Sequence, residues 1–294
     1  MNIKDYSLWT AVVTPLAHNF QVDLRALSAL VRDQEEAGNG LLILGSTAEA
    51  LNLPLEEKKK IVDHVLSLTP KSPIMVGVGG HQLEETLEWI HFLETKAINA
   101  YLMVTPLYAK PGPVGQFQWF KKLMDVVTKP VMLYNVPGRT AVALSTEAVE
   151  QLADHKNFWA IKEASGSVEK FKGYVKAAKG HPVFCGDDAL MPDFALAGSA
   201  GLVSVASNAW PKETNLYVKQ CLAKTFDDKE LWTNASNSLF VVSNPVPVKR
   251  LMFENGKIQT PFMVAPLSHE DMTEATPVTN ANKQVRDWYQ RTQK

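Results

Sequence analysis

Eight short apolar runs punctuate the first two-thirds of the chain, and they narrow the choice of folds more than any other feature. They read LWTAVV (8–13), LLILG (41–45), PIMVGVG (73–79), AYLMV (100–104), PVMLY (130–134), FWAIK (158–162), PVFCG (182–186) and GLVSV (201–205). Each is bounded by turn residues and lacks polar alternation, as expected of strands buried on both faces of a parallel sheet. Amphipathic stretches lie between them. DLRALSALVRDQEEAG places Leu24, Leu27, Leu30 and Val31 on one face, with Asp23 as N-cap and Gly38 as the closing residue. EEKKKIVDHVLSL repeats the pattern with Ile61, Val65 and Leu68. Strand-then-helix units of about 20 to 33 residues, eight times over, predict an α/β chain folded as a (β/α)8 TIM barrel. A doubly wound sheet would use fewer strands and a Gly-rich first turn.

After residue 225 the strand signal fades. KELWTNASNSLFVV and NKQVRDWYQRT read as helices, and the prolines of NPVPVKRLMF break one helix and start another. The expected organisation is a catalytic barrel over 1–224 and a small C-terminal helical domain over 225–294, too poor in apolar residues to fold alone. Lys and Arg total 30 against 31 Asp and Glu, a net charge of −1 with no basic run, so no electrostatic case exists for nucleic acid or an acidic membrane. Two cysteines outside any C-x-x-C pair exclude a disulfide framework. The opening MNIKDYSLWTAVVTPL reads as neither a signal peptide nor a membrane span, which makes the cytoplasm the expected compartment.

In barrels of this kind the side chains at the C-terminal ends of the strands build the active site. Those positions hold GSTAEA (45–50), TPLYAKPG (105–112), YNVPGRT (134–140), Lys162, GDDA (186–189) and the stretch Val203–Asn208. Lys162 draws attention because it follows four apolar residues, and lysine is rarely buried unless paired or used. A nucleophilic lysine must be neutral, whereas free lysine titrates at about 10.4; working at neutral pH requires about 4 kcal/mol from desolvation and neighbours. Such an amine condenses with a ketone to a Schiff base whose protonated nitrogen is an electron sink. That chemistry calls for a proton shuttle, for which Tyr134, Ser46, Thr47 and Tyr108 are candidates, and for no metal or other cofactor. Taken singly, each residue has an ordinary reading: a snorkelling lysine, half-buried tyrosines, a solvated Arg139, a hydroxyl N-cap. Their convergence at one end of one barrel carries the functional case.

Together these motifs resemble the dihydrodipicolinate synthase and N-acetylneuraminate lyase family of pyruvate-dependent class I aldolases, from AVVTPL (11–16) to NPVPVK (244–249). YNVPGRT and IKEASG resemble the synthase branch. The resemblance implies a catalytic set of Lys162, Tyr134, Ser46 and Tyr108. In it Lys162 forms an imine with pyruvate, Tyr134 is the general acid/base bonded to Ser46, and Tyr108 completes the relay from a neighbouring subunit. Thr47 would hold the pyruvate carboxylate, the Val203 backbone would line the same pocket, and Arg139 would bind the carboxylate of L-aspartate 4-semialdehyde. It further implies a homotetramer, a dimer of dimers. N-acetylneuraminate lyase and 2-keto-3-deoxy sugar acid aldolase activities share the lysine and tyrosine; Arg139 favours a short carboxylated acceptor over a polyhydroxylated one.

Several positions depart from the family pattern. Ser46 stands for a threonine and Ala48 for a glycine, so Ala48 is strained if that backbone needs positive φ. Leu107 replaces a second tyrosine, and beside Tyr108 it suits a dimer seam. His81 and Leu53 sit where lysine-inhibited members tend to carry asparagine and histidine; with Glu85 alone matching, weak or absent feedback by lysine is expected. Other chemistries lack their residues. The seven histidines include no i, i+4 pair for a metal, the Asp187–Asp188 pair reads as a solvated turn that would repel a phosphate, and no G-x-S-x-G elbow is present. A catalytically dead scaffold would have lost the lysine, the tyrosine or the hydroxyls, and all are retained.

Overall fold

The computed structural model describes residues 2–293. Eight strands close into a barrel in the order of the chain, every neighbouring pair parallel. They are β1 (Leu8–Ala11), β2 (Gly40–Ile43), β3 (Ile74–Val78), β4 (Ala100–Val104), β5 (Val131–Asn135), β6 (Phe158–Glu163), β7 (Val183–Cys185) and β8 (Leu202–Ser204). Each overlaps one of the eight apolar runs. The runs extend further than some strands because their last residues turn into the loops of the barrel mouth.

Helices follow the strands: α1 (Leu24–Ala37), α2 (Leu55–Ser67), α3 (Leu83–Glu94), α4 (Pro113–Asp125), α5 (Pro137–Thr140), α6 (Thr146–Leu152), α7 (Val168–Ala177), α8 (Met191–Leu196) and α9 (Pro211–Ala223). The first shows how the sequence sets the boundaries. Asp23 accepts the Ala26 N–H, which satisfies one orphan donor of the first turn, and Gly38 takes the left-handed φ of 74° that closes the last one. Beyond residue 225 come α10 (Lys229–Ser238), α11 (Val246–Glu254) and α12 (Thr276–Thr292). Lys224, at φ 58°, caps the end of α9. The tail has no separate core: Trp232, Leu239, Val248, Val285 and Trp288 belong to the cluster that packs the barrel strands against their helices. Tyr217 of α9 stacks on Trp232 of α10 at 4.1 Å, and Trp288 of α12 meets Trp232 edge-on at 5.1 Å.

A second cluster fills the barrel interior with Trp9, Leu42, Met75, Met132, Phe184 and Val203 among its members. One irregularity in this layer decides where Lys162 points. β5 and β6 pair Val131 with Phe158 and then Met132 with Ala160, so Trp159 is an extra residue, a bulge. Phe158 packs outward with the helices, Trp159 and Ala160 both join the interior cluster, and Ile161 faces out again. Because strand side chains alternate, the extra residue changes the parity of everything after it. Without it Lys162 would face the helices; with it the lysine faces the barrel axis, in register with Tyr134.

Candidate active site

Lys162 and Tyr134 are the centre of the site. Both are buried, and the lysine Nζ lies 4.3 Å from the centroid of the tyrosine ring. The ring face is electron-rich and attracts a cation, so the pair is mutually attractive as well as in register. Room for the lysine stem comes from Gly186 after β7: a Cβ there would stand 3.0 Å from Lys162 Cε and 2.7 Å from Ala164 Cβ. Three carboxyls surround this end of β6. Burial raises the pKa of Glu163, against hydrogen bonds donated by Ser165 and Asn135. Burial pushes Asp187 up to about 6, with Lys162 pulling the other way and Glu163 and Asp188 adding to the rise. Asp188 is raised by burial too, although it accepts hydrogen bonds from the Ser204 hydroxyl and the Val205 and Ala206 N–H groups. The pair expected to be a solvated turn thus divides: Asp188 is fully enclosed and ties the β7 loop to β8, while Asp187 borders the lysine. Lys162 draws the pKa of both Asp187 and Asp188 down, so these two carboxyls are electrostatically coupled to position 162, where a protonated imine would carry its charge.

A cavity of about 320 Å³ opens beside Tyr134. Its walls include Ser46 from the loop after β2, Leu107 from the loop after β4, Tyr134 itself and Arg139 of α5. Ser46 and Tyr134 share this wall without a hydrogen bond between them. Arg139 owes its place to Pro137, which starts a single helical turn after β5, and its Nη2 donates to the Asn244 carbonyl at 2.9 Å. Leu107, expected in a subunit seam, faces the cavity of its own chain.

The loop after β2 is a single 3₁₀ turn, Ser46–Ala48. The left-handed residues around it are Leu44, at φ 55°, and Glu49, at φ 58°, so Ala48 carries no strain from replacing a glycine. Thr47 is buried beneath the turn, and its hydroxyl accepts from Asn244 Nδ2 at 3.0 Å. Val203 lies in the barrel interior, paired with Trp9, and neither it nor Thr47 nor Lys162 is among the residues lining the cavity. Tyr108 is the outlier: it is 90% exposed, at φ 63°, and is not among the residues lining its own chain's cavity.

Two functional residues escaped the sequence reading. Glu49 and Lys249 form an ion pair of 2.9 Å in which neither side chain is exposed, and the other oxygen of Glu49 accepts the Val264 N–H at 2.6 Å. This pair bolts the C-terminal segment to the β2 loop, and Pro266 and Leu267 from that segment complete the cavity wall. The signal was present in a glutamate next to GSTA and a lysine after NPVPV, but nothing local links positions 200 residues apart. Among the described residues no group of three or more His, Cys, Asp or Glu is arranged to hold a metal, and no helix is long and apolar enough to cross a membrane.

Comparison with known proteins converges on one family. The family model described as the dihydrodipicolinate synthetase family matches residues 5–285. A 4-hydroxy-tetrahydrodipicolinate synthase of Francisella philomiragia is 44% identical over 96% of this chain and 96% of its own. A protein of the same name from Wolbachia pipientis is 43% identical over 97% and 98%. Among solved structures, a dihydrodipicolinate synthase from Acinetobacter baumannii, complexed with pyruvate, superposes with a TM-score of 0.90 at 32% identity, covering 95% of this chain and 98% of that one.

Proposed function

This chain belongs to the dihydrodipicolinate synthetase family, and from that membership and the barrel mouth we propose that it condenses pyruvate with L-aspartate 4-semialdehyde to give 4-hydroxy-tetrahydrodipicolinate. The observation that carries the reading is the buried Lys162 with its amine against the Tyr134 ring, at the C-terminal end of the barrel.

The residues divide the work by their chemistry. Lys162 Nζ attacks the keto carbon of pyruvate, and loss of one water leaves the imine. Removal of a methyl proton gives the enamine, whose carbon attacks the aldehyde; the new alkoxide takes up a proton. The amine of the aspartate semialdehyde then attacks the imine carbon, closes the ring and displaces Lys162. Tyr134 relays protons through these steps with Ser46, and Tyr108 enters from a neighbouring subunit to finish the relay, a reading supported by its exposure and its absence from the lining of its own chain's cavity. Thr47 is assigned the pyruvate carboxylate with the Val203 backbone lining the same pocket, and Arg139 the carboxylate of the aldehyde. A Tyr108 borrowed from another copy makes a dimer the smallest active unit, and a homotetramer of two such dimers is the proposed assembly. The proposed organisation is a catalytic barrel over 1–224 carrying a dependent helical unit over 225–294, at work in the cytoplasm.

Steady-state assays with pyruvate and either L-aspartate 4-semialdehyde or N-acetylmannosamine test the assignment. Turnover with the first aldehyde and none with the second is the expected result; the reverse preference would overturn it.

A further inference from the structure

Asn244 stands just ahead of α11 and touches both substrate anchors. Its side-chain Nδ2 donates to Thr47 Oγ1 at 3.0 Å, and its backbone carbonyl accepts from Arg139 Nη2 at 2.9 Å. It is buried, as is Thr47, and the Lys249–Glu49 ion pair fixes the same two segments to one another a few residues further along. We infer that the Asn244 side chain is a positioning residue that turns the Thr47 hydroxyl into a hydrogen-bond donor aimed at a bound carboxylate.

The inference rests on the hydroxyl's capacity. A threonine hydroxyl has one proton and two lone pairs, whereas an amide N–H donates and cannot accept. Asn244 therefore occupies a lone pair of Thr47 and leaves its proton free. Among the described residues that proton meets no acceptor, Asn244 being the hydroxyl's partner. A buried hydroxyl with an unspent proton is incomplete until something accepts it. A carboxylate supplies acceptors only, so it fits, and the charge-assisted bond is the stronger kind. The opposite polarity would fail. An oxygen in place of Nδ2 would take the Thr47 proton for itself, leaving only lone pairs facing the ligand. Asn244 Oδ1 is buried and without a partner, so the bond from Nδ2 to Thr47 is the side chain's one hydrogen bond among the described residues.

This inference depends on the proposed pyruvate chemistry, so the test separates the two. Pyruvate-dependent trapping of the protein by borohydride is measured across pyruvate concentrations for the unsubstituted chain and for Asn244→Ala, Asn244→Asp and Thr47→Val, with thermal unfolding followed for each. Half-saturation by pyruvate is expected to rise about tenfold in N244A and about thirtyfold or more in the isosteric N244D, which reverses the polarity and adds a like charge. The KM for the aldehyde should change less than about threefold, because the carbonyl that holds Arg139 survives both changes. In a Thr47→Val background Asn244→Ala should add less than about twofold. N244D saturating with pyruvate as the unsubstituted chain does would overturn the inference, as would an undiminished N244A effect on top of T47V. So would lowered unfolding temperatures with no ordering among the pyruvate half-saturations. An unsubstituted chain that pyruvate and borohydride fail to label would refute the proposed function itself, and this assignment with it.

Discussion

Lys249→Met removes one partner of an ion pair that has no water to fall back on. The methionine keeps most of the lysine stem's volume, so packing changes little while the charge disappears. Glu49 is then left buried with the Val264 N–H as its remaining partner. Burial alone lowers the lysine's pKa and Glu49 opposes that shift, which is the signature of a cation retained inside the protein by its counter-charge. Replacing such a pair outright with apolar groups is often neutral, whereas orphaning one charge costs about 3–5 kcal/mol. At roughly 2 °C per kcal/mol for a chain of this size, the unfolding midpoint should fall by about 6–10 °C. Adding Glu49→Gln removes the orphaned charge and keeps an oxygen for Val264. The double variant should therefore be more stable than K249M by about 1.5 kcal/mol or more, a coupling read from urea unfolding of both singles and the double. Because Glu49 closes the turn that carries Ser46 and Thr47, K249M should also need more pyruvate for half-saturation. A K249M midpoint within about 1 °C of the parent, or a double variant no more stable than K249M, would refute the claim that this pair is desolvated and structural.

Three further outcomes follow from the same site. Asp187 has a folded pKa of about 6 against 3.8 ordinarily, so between those values unfolding releases a proton and stability falls as pH rises. The full loss, about 3 kcal/mol, is present above pH ~6; Asp187→Asn should match the parent near pH 4 in urea unfolding and exceed it at pH 7, and parallel profiles would contradict this. Gly186→Ala puts a methyl 3.0 Å from Lys162 Cε; hydride trapping with pyruvate should slow at least about tenfold at unchanged secondary structure, and an unaltered rate would show the stem has slack. Inhibition by free lysine should be weak or absent, because Lys58 on the cavity wall already sets its own charge against Glu85; half-inhibition at low or sub-millimolar lysine would be the contrary finding.

The barrel was legible because each strand is buried on both faces. That burial forces uninterrupted apolar runs, and eight of them with amphipathic spacers leave few topologies open. The helix ends were legible for the same local reason, as Asp23 and Gly38 illustrate. Uniformly apolar runs, however, say nothing about which face a residue takes. FWAIK reads the same with Lys162 inward or outward, and the Trp159 bulge that settles it is visible only from the pairing with β5. Candidate residues at strand ends could be named from fold logic, and the structure brings Lys162, Tyr134, Ser46 and Arg139 to one barrel mouth. What could not be read were the long-range partners. Glu49 with Lys249 and Thr47 with Asn244 each span about 200 residues of chain, and neither leaves a local pattern. The reading of Ala48 shows the converse limit. Its replacement of a glycine suggests strain, whereas the left-handed conformations of this loop fall at Leu44 and Glu49.

The account stands on Lys162 as the group that bonds to the keto acid. Incubation with pyruvate and borohydride, followed by digestion and peptide mass analysis, tests this directly. A reduced pyruvate adduct on the peptide holding residue 162, abolished by Lys162→Ala together with condensation activity, is the predicted result. An adduct on any other lysine, or condensation that survives the alanine substitution, would contradict it.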